Sequence, residues 1–342
     1  MTAGSADPST MGRVTVPTDP LQWKVICLDF EKGSILWEQT VAEAIPKYGK
    51  HVSNTYATET PAASNDAVYV WFGSVGVMAA YDHTGKPLWK TELKVQKLSN
   101  FGTGSSPVLH EGKLFLQLYN DDAAQLVCMD ALDGNTLWQA KRSAGSSWST
   151  PVLWRNNGAM EIVAAGSGMV IGYDLETGSE KWRVGNLFAS FSASLVGDQN
   201  GLYFGTSNPG RQVLMAVAPG QKGDLTLAKG VETSPGILWS STASGVGMPS
   251  PIVVGERLYF FSNTANCYDK RDGKEVFRAR LPGGTLAAGC PVAVGETIYL
   301  VNEAGKLLVI NATSEFKVES ELQIGSAEEI FWSSPALANQ SL

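Results

Sequence analysis

Short apolar runs rich in Val, Ile, Tyr and Phe, broken by turns containing Gly and Asp, follow one another from about Trp23 to the C-terminus. Their alternation and β-branched content predict strands joined by hairpins. One unit recurs: apolar, any residue, apolar, Asp, then two or three residues, a Gly, and a Trp four residues beyond that Gly. It reads VICLDFEKGSILW to Trp37, MAAYDHTGKPLW to Trp89, LVCMDALDGNTLW to Trp138 and VIGYDLETGSEKW to Trp182. ANCYDKRDGKEVF puts Phe277 in the aromatic position, and VLMAVAPGQKGDLTLAKGVETSPGILW carries an insertion and reaches its aromatic only at Trp239. The last copy, LLVINATSEFKVE, has Asn311 for the Asp and lacks the Gly.

Upstream of these units a small residue and Pro open a second apolar run, followed by a turn and an aromatic-rich run. Examples are SSPVLHEGKLFLQLY from Ser105, STPVLWRNNGAMEIVAA from Ser149, PSPIVVGERLYFFS from Pro249 and GCPVAVGETIYLVN from Gly289. Each repeat thus predicts four antiparallel strands. The recurring aromatics stand roughly 38 to 57 residues apart, which brackets a four-stranded propeller blade. An Asp such as Asp29, Asp82, Asp130, Asp174 or Asp269 can accept from amides of the following turn. The Gly after it, for instance Gly85 or Gly178, supplies positive φ. Trp37, Trp89, Trp138, Trp182, Trp239 and Phe277 are assigned to docking blade on blade, each Trp offering an apolar face and an indole N–H for a backbone carbonyl.

The expected architecture is all-β, one β-propeller of four-stranded antiparallel blades over 21–342, with 1–20 weakly organised and holding at most a remnant strand. Six units, roughly 53 to 325, are complete. A seventh blade can be shared between the termini, a strand around Ser334 joining a strand at Arg13 to Val16 and the strands around Ile26 and Leu36. The motif resembles the PQQ-like repeat of quinoprotein dehydrogenases and of the BamB-like group of exported bacterial propellers. NTYATETP at Asn54, the insertion before Trp239 and EFKV at Phe316 carry the closer likeness to that group. The resemblance implies eight blades and an export signal, hence a chain shortened at both ends and a periplasmic or otherwise exported location. Seven is the blade count the present residues can complete.

With 342 residues, 44% hydrophobic and 17% charged, the chain has the composition of a soluble globular protein. A net charge of -7 argues against gripping phosphate backbones, so no nucleic-acid partner is expected. No run approaches the roughly 18 apolar residues of a membrane span, and MTAGSADPSTMGRVTVP lacks the basic and apolar regions of a secretory signal. A monomer is expected. Cys27, Cys128, Cys267 and Cys290 lack zinc-site spacing, and the first three share one position on a third strand, where they read as small buried apolar side chains.

In a dehydrogenase the resemblance implies PQQ over the propeller axis, a carboxylate base, a calcium site and often a disulfide between adjacent cysteines. This chain has no adjacent cysteine pair, and Asn54, Glu59, Asn100, Glu328 and Glu329 are scattered over loops. His51, His83 and His110 lie near turns of different units, and neither a GxSxG elbow nor HExxH is present. Serine steps such as Ser105-Ser106 and Ser333-Ser334 recur at strand starts and read as small residues near a narrow axis. No catalytic, cofactor-binding or metal residue is assigned, and no cofactor is expected. The candidate contact residues are those before each inner strand, where the repeats diverge: Tyr56, Phe101, Trp148, Phe191, Met248, Phe331 and Trp332. These rings either contact a peptide, protein or glycan partner or plug the channel as core. A non-catalytic binding scaffold is the favoured reading, and a PQQ-dependent dehydrogenase, or a degenerate relative of one, is the alternative.

Overall fold

The computed structural model describes residues 13–94, 101–119, 123–143, 145, 147–187, 190–206, 213–242, 246–282, 289–326 and 328–338. Among these, the regular elements are β-strands; five antiparallel sheets hold four strands each, and a sixth holds four antiparallel strands and a parallel fifth. The chain forms two compact units, residues 1–151 with 176–179 and residues 152–175 with 180–342.

The first unit contains a two-stranded hairpin, Leu21–Leu28 with Ile35–Ala44. Blade 1 follows as Ala62–Ala63, Ala67–Phe72, Val77–Asp82 and Pro87–Glu92, and blade 2 as Val108–His110, Lys113–Leu118, Ala124–Asp130 and Thr136–Arg142. Trp23, Val25 and Val41 of the hairpin pack against Val70, Phe72, Ala79 and Tyr81 of blade 1. Tyr69, Trp71 and Met78 of blade 1 meet Leu114, Leu116 and Val127 of blade 2.

In the second unit, blade 3 is Val152–Asn156, Ala159–Gly166, Met169–Asp174 and Glu180–Val184, with Gly223–Asp224 added as a parallel fifth strand. Blade 4 is Val196–Gly197, Leu202–Gly205, Leu214–Val217 and Ile237–Ser241. Blade 5 is Ile252–Val254, Arg257–Phe261, Thr264–Asp269 and Glu275–Arg280, and blade 6 is Val292–Val294, Thr297–Val301, Lys306–Ala312 and Phe316–Gln323. Successive sheets bury one apolar layer between each pair.

The recurring motif forms the hairpin between third and fourth strands. Asp29 Oδ1 accepts from the amides of Glu31 and Lys32, and Asp82, Asp130 and Asp269 cap their turns in the same way. The turn closes on a Gly at positive φ, +74° at Gly134, a region other residues enter only at a cost. One step into each hairpin the register shifts by a bulge, and the residue opposite the motif aromatic is small: Cys27 faces Trp37, Ala80 Trp89, Cys128 Trp138, Gly172 Trp182, Ala216 Trp239 and Cys267 Phe277. A larger side chain there would compete with the ring for the same space. All four cysteines are free thiols. Burial pushes Cys128 up to about 12 and Cys267 to about 11, which keeps both neutral.

Four of the tryptophans reach the neighbouring turn. Trp37 Nε1 donates to His83 O at 3.0 Å, Trp89 to Ala131 O at 2.9 Å and Trp239 to Lys270 O at 2.9 Å. Trp37, Trp89, Trp138 and Trp239 lie over Gly85, Gly134, Gly178 and Gly273, where a Cβ would strike the ring. Phe277 packs between Tyr259 and Phe316. Trp182 departs from this pattern, because its ring folds back over Gly172 and its Nε1 donates to Glu161 Oε2 at 2.7 Å within blade 3.

A second link runs along the small-residue steps that open the inner strands. Thr60 N donates to Ser106 Oγ at 2.9 Å and Ser106 N to Thr150 Oγ1 at 3.0 Å. In the second unit Ser194 N donates to Ser250 Oγ, Ser250 N to Cys290 Sγ, and Cys290 N to Ser334 Oγ at 2.8 Å. These side chains therefore do more than fit a narrow space: each satisfies an amide that the short inner strand leaves unpaired. Thr150→Val keeps the shape and removes the acceptor, so urea denaturation should show a loss of about 1–2 kcal/mol. An unchanged midpoint would mean that water replaces the bond.

The expected shared blade needs correction. Arg13–Val14 pairs with Lys50–His51, not with the strands around Ile26 and Leu36, and residues 331–337 are not strand. The backbone around Ser334 is instead held through its hydroxyl. Of the N-terminal segment 1–20, residues 1–12 lie outside the described residues.

Candidate functional site

Three segments of the first unit converge before the inner strands: the loop 47–60, interrupted by the short strand Lys50–His51, and the loops 101–105 and 147–150. Asn54 clamps the first to the second, its Nδ2 donating to Phe101 O at 2.8 Å and Thr103 O at 3.1 Å. Its Oδ1 accepts from Thr55 N at 2.7 Å and from the Thr58 hydroxyl. Gly102, at φ +83°, brings its backbone against Asn54, where a Cβ would stand 2.7 Å from Nδ2. The third loop joins through Trp148, whose Nε1 donates to Gly102 O at 2.8 Å.

Aromatic rings lie on this clamp. Phe101 meets Trp148 edge-on, with centroids 6.0 Å apart, and stacks on His51 at 5.8 Å. Lys50 Nζ stands 5.8 Å from the Tyr56 ring centre, and burial lowers its ammonium from the ordinary lysine range. The Tyr56 carbonyl accepts from Trp23 Nε1 and Ser74 Oγ, both at 2.7 Å, which fixes the loop from beneath. His51, Tyr56, Phe101 and Trp148 are each half-buried, held on one side and open on the other.

Beneath the loops lies Glu59, only 9% exposed. Its Oε1 accepts from Gly73 N at 3.1 Å, whereas Oε2 has no hydrogen-bond partner among the described residues. Burial pushes the carboxyl up to about 7, partly offset by the Thr103 side chain and nearby amides, and no charged partner contributes. The hydroxyls of Tyr56 and Ser105 are likewise buried without a partner among the described residues.

The remaining candidates belong to the second unit. Phe191 is 2% exposed and packs edge-on against Phe204, so its ring is core and offers no contact face. Met248 is exposed. Phe331 and Trp332 meet on Glu303, whose carbonyl accepts from Phe331 N and whose Oε1 accepts from Trp332 Nε1, both at 3.0 Å. Glu303 and Lys50 carried no motif that marked them in the sequence.

The groups weighed for a quinone and a cation divide between the two units, Asn54 and Glu59 in the first and Glu328 and Glu329 in the second. Glu59 has one oxygen committed to Gly73 and burial raises its carboxyl to about 7, Glu328 and Glu329 are exposed, and Glu329 Oε2 is taken by Ser326 N. Asn100 lies outside the described residues. Among those described, no three His, Cys, Asp or Glu side chains are placed to share a metal ion. His83 meets the Ser64 carbonyl and His110 lies beside Glu111. No described helix is long and apolar enough to cross a membrane.

The sequence matches the family described as outer membrane protein assembly factor BamB, over residues 22–222 and 168–315. Among solved structures, BamB from Moraxella catarrhalis is 14% identical with a TM-score of 0.61, covering 91% of this chain and 89% of that one. A computationally designed protein, Ika8, is 12% identical with a TM-score of 0.65, covering 96% and 92%. A europium-containing methanol dehydrogenase is 13% identical with a TM-score of 0.56, covering 92% and 77%. No curated protein matches the chain. At these identities the likeness is one of fold, a PQQ-like β-propeller.

Proposed function

The chain belongs to the family of outer membrane protein assembly factor BamB, and from that premise we propose that it is a non-catalytic, exported scaffold that binds a protein partner. Its contact surface is the clamped loop cluster of the first unit, with Tyr56, Phe101 and Trp148 as anchors for an extended peptide segment. The observation that carries this reading is the clamp: Asn54 and Trp148 hold three loops together through backbone carbonyls. Rings fixed in advance lose little freedom on binding, which suits them to anchor a flexible chain. The partner is a component or client of outer-membrane protein assembly, and the protein acts as a monomer.

Labelled peptides with the alternating apolar pattern of outer-membrane strands supply the test by fluorescence anisotropy. Trp148→Ala should weaken binding about tenfold or more, and Met248→Ala should leave it unchanged. A parallel titration with PQQ and calcium, followed by dye reduction with alcohols and sugars, separates the dehydrogenase reading. Saturable binding with turnover there, or peptide affinity indifferent to Trp148, would overturn the scaffold.

A further inference from the structure

Three segments of the first unit meet at Glu59: its own, before the first strand of blade 1; Gly73, just past the second strand of that blade; and 103–105, before the first strand of blade 2. The approach is close. A Cβ on Gly73 would stand 2.7 Å from Glu59 Oε1 and 2.7 Å from Thr103 Cγ2, so any side chain there would fill the space beside the carboxyl and Thr103. Thr60 N donates to Ser106 Oγ at 2.9 Å and ties the first and third segments one residue further on. Thr103 and Ser105 are two positions apart, the spacing that sets side chains on one side of an extended segment.

Three oxygens of this cradle share one property. Glu59 Oε2, Thr103 Oγ1 and Ser105 Oγ are each shut off from solvent and have no hydrogen-bond partner among the described residues. The Thr103 hydroxyl is near enough to ease ionisation of the carboxyl but falls outside hydrogen-bond geometry. Folded chains satisfy nearly all buried polar atoms, and unsatisfied ones gathered in one place point to a bound ion or water. Charge decides between these two. Burial raises the carboxyl to about 7, so above that pH the chain carries a buried anion, and no charged side chain among the described residues offsets it. Donors that are all oxygen suit a hard cation. One carboxylate and two neutral hydroxyls balance a single positive charge, whereas a divalent ion would leave one charge uncompensated in a buried place.

We propose that Glu59, Thr103 and Ser105 bind a monovalent alkali cation that ties the entry segments of blades 1 and 2 together beneath the aromatic loops. The site does not rest on the peptide reading, because the ion holds these segments whether or not a partner lies above them. Wild-type melting at pH 8 tests it, first in tetramethylammonium chloride, whose methyl groups keep its charge from oxygen donors, then with sodium or potassium chloride exchanged in at constant ionic strength. Exchange should raise the melting temperature saturably, by about 2–4 °C. At pH 5 the carboxyl is protonated and exchange should have no effect.

Glu59→Gln keeps an oxygen for Gly73 N and should melt alike in all three salts at pH 8. In tetramethylammonium chloride it is the more stable protein, and alkali salt closes that gap by stabilising the wild type alone. Thr103→Val keeps the shape and removes one oxygen, so its half-maximal sodium concentration should rise about tenfold. Equal melting of the wild type in tetramethylammonium and alkali salts overturns the proposal without reference to any variant and leaves water as the partner of these oxygens. An alkali response retained by Glu59→Gln overturns it too, since the ion would then sit elsewhere. So would a saturable calcium response at concentrations far below those of sodium and potassium, which would assign a divalent ion.

Discussion

Trp182→Ala is expected to cost about 3–5 kcal/mol of stability, more than the same change at any other motif tryptophan. Trp182 is fully buried, edge-on to Trp154 at 5.9 Å and within the largest apolar layer of the second unit. Its removal opens a cavity in a layer that cannot collapse, because sheets on both sides are fixed by their ladders. A polar cost adds to this. Glu161 is 1% exposed and balanced by Trp182 Nε1 at 2.7 Å, Asn156 Nδ2 at 3.0 Å and Lys181 Nζ at 2.7 Å. Without the indole, a buried carboxylate loses one of three partners. Trp37, half-buried and with one bond to His83 O, should cost only about 1–2 kcal/mol as Ala. Urea unfolding of the two variants decides the matter, and equal losses would mean that Trp182 is one more blade staple.

The inward turn of Trp182 has two causes, and only one could be read from the chain. Gly172, where other blades place Cys or Ala, leaves room for the ring to fold over its own sheet, and that Gly stands in plain view in VIGYD. The other cause is the insertion before Trp239. It returns to blade 3, pairing Gly223 and Asp224 with Trp182 and Arg183 and donating from Gly220 N to Asn156 Oδ1 at 2.5 Å. Nothing in the local pattern of KGDL announces a parallel pairing with a strand some forty residues earlier. Strands, hairpins and the Asp–Gly turns were legible because hydrogen bonding and periodicity within one repeat determine them.

The loop cluster was legible as a set of aromatics but not as a site. Tyr56, Phe101 and Trp148 stand before inner strands, yet what joins them is Asn54 reaching backbone carbonyls 47 and 49 residues away. Backbone acceptors have no signature in sequence. Phe191, at the same repeat position as Trp148, turned into the core because Phe204 offered it a partner. The serine steps show the same limit: their recurrence was visible, whereas the neighbouring amide each one satisfies was not. Repeat position thus locates a residue on the scaffold and leaves its contacts to the fold.

Glu59→Gln is expected to stabilise the protein at pH 8 and to have little effect at pH 4. Burial without a charged partner raises the folded-state carboxyl from 4.5 to about 7, so the folded chain holds this proton more tightly than the unfolded chain. The contribution is fully present below pH 4.5 and is lost as pH rises through 7, because the folded state must then ionise a carboxyl whose Oε2 has no hydrogen-bond partner among the described residues. A shift of this size corresponds to about 3 kcal/mol, all of it removed when the group cannot ionise. Gln retains an oxygen for the Gly73 amide, so the loop need not rearrange. Unfolding midpoints of wild type and variant across pH 4–8 should therefore diverge only above about 5, with Glu59→Gln the more stable. Parallel curves would mean that the carboxyl keeps an ordinary pKa and that solvent reaches Oε2. A variant less stable at pH 8 would mean that the ionised carboxylate is itself a partner the loop cluster needs.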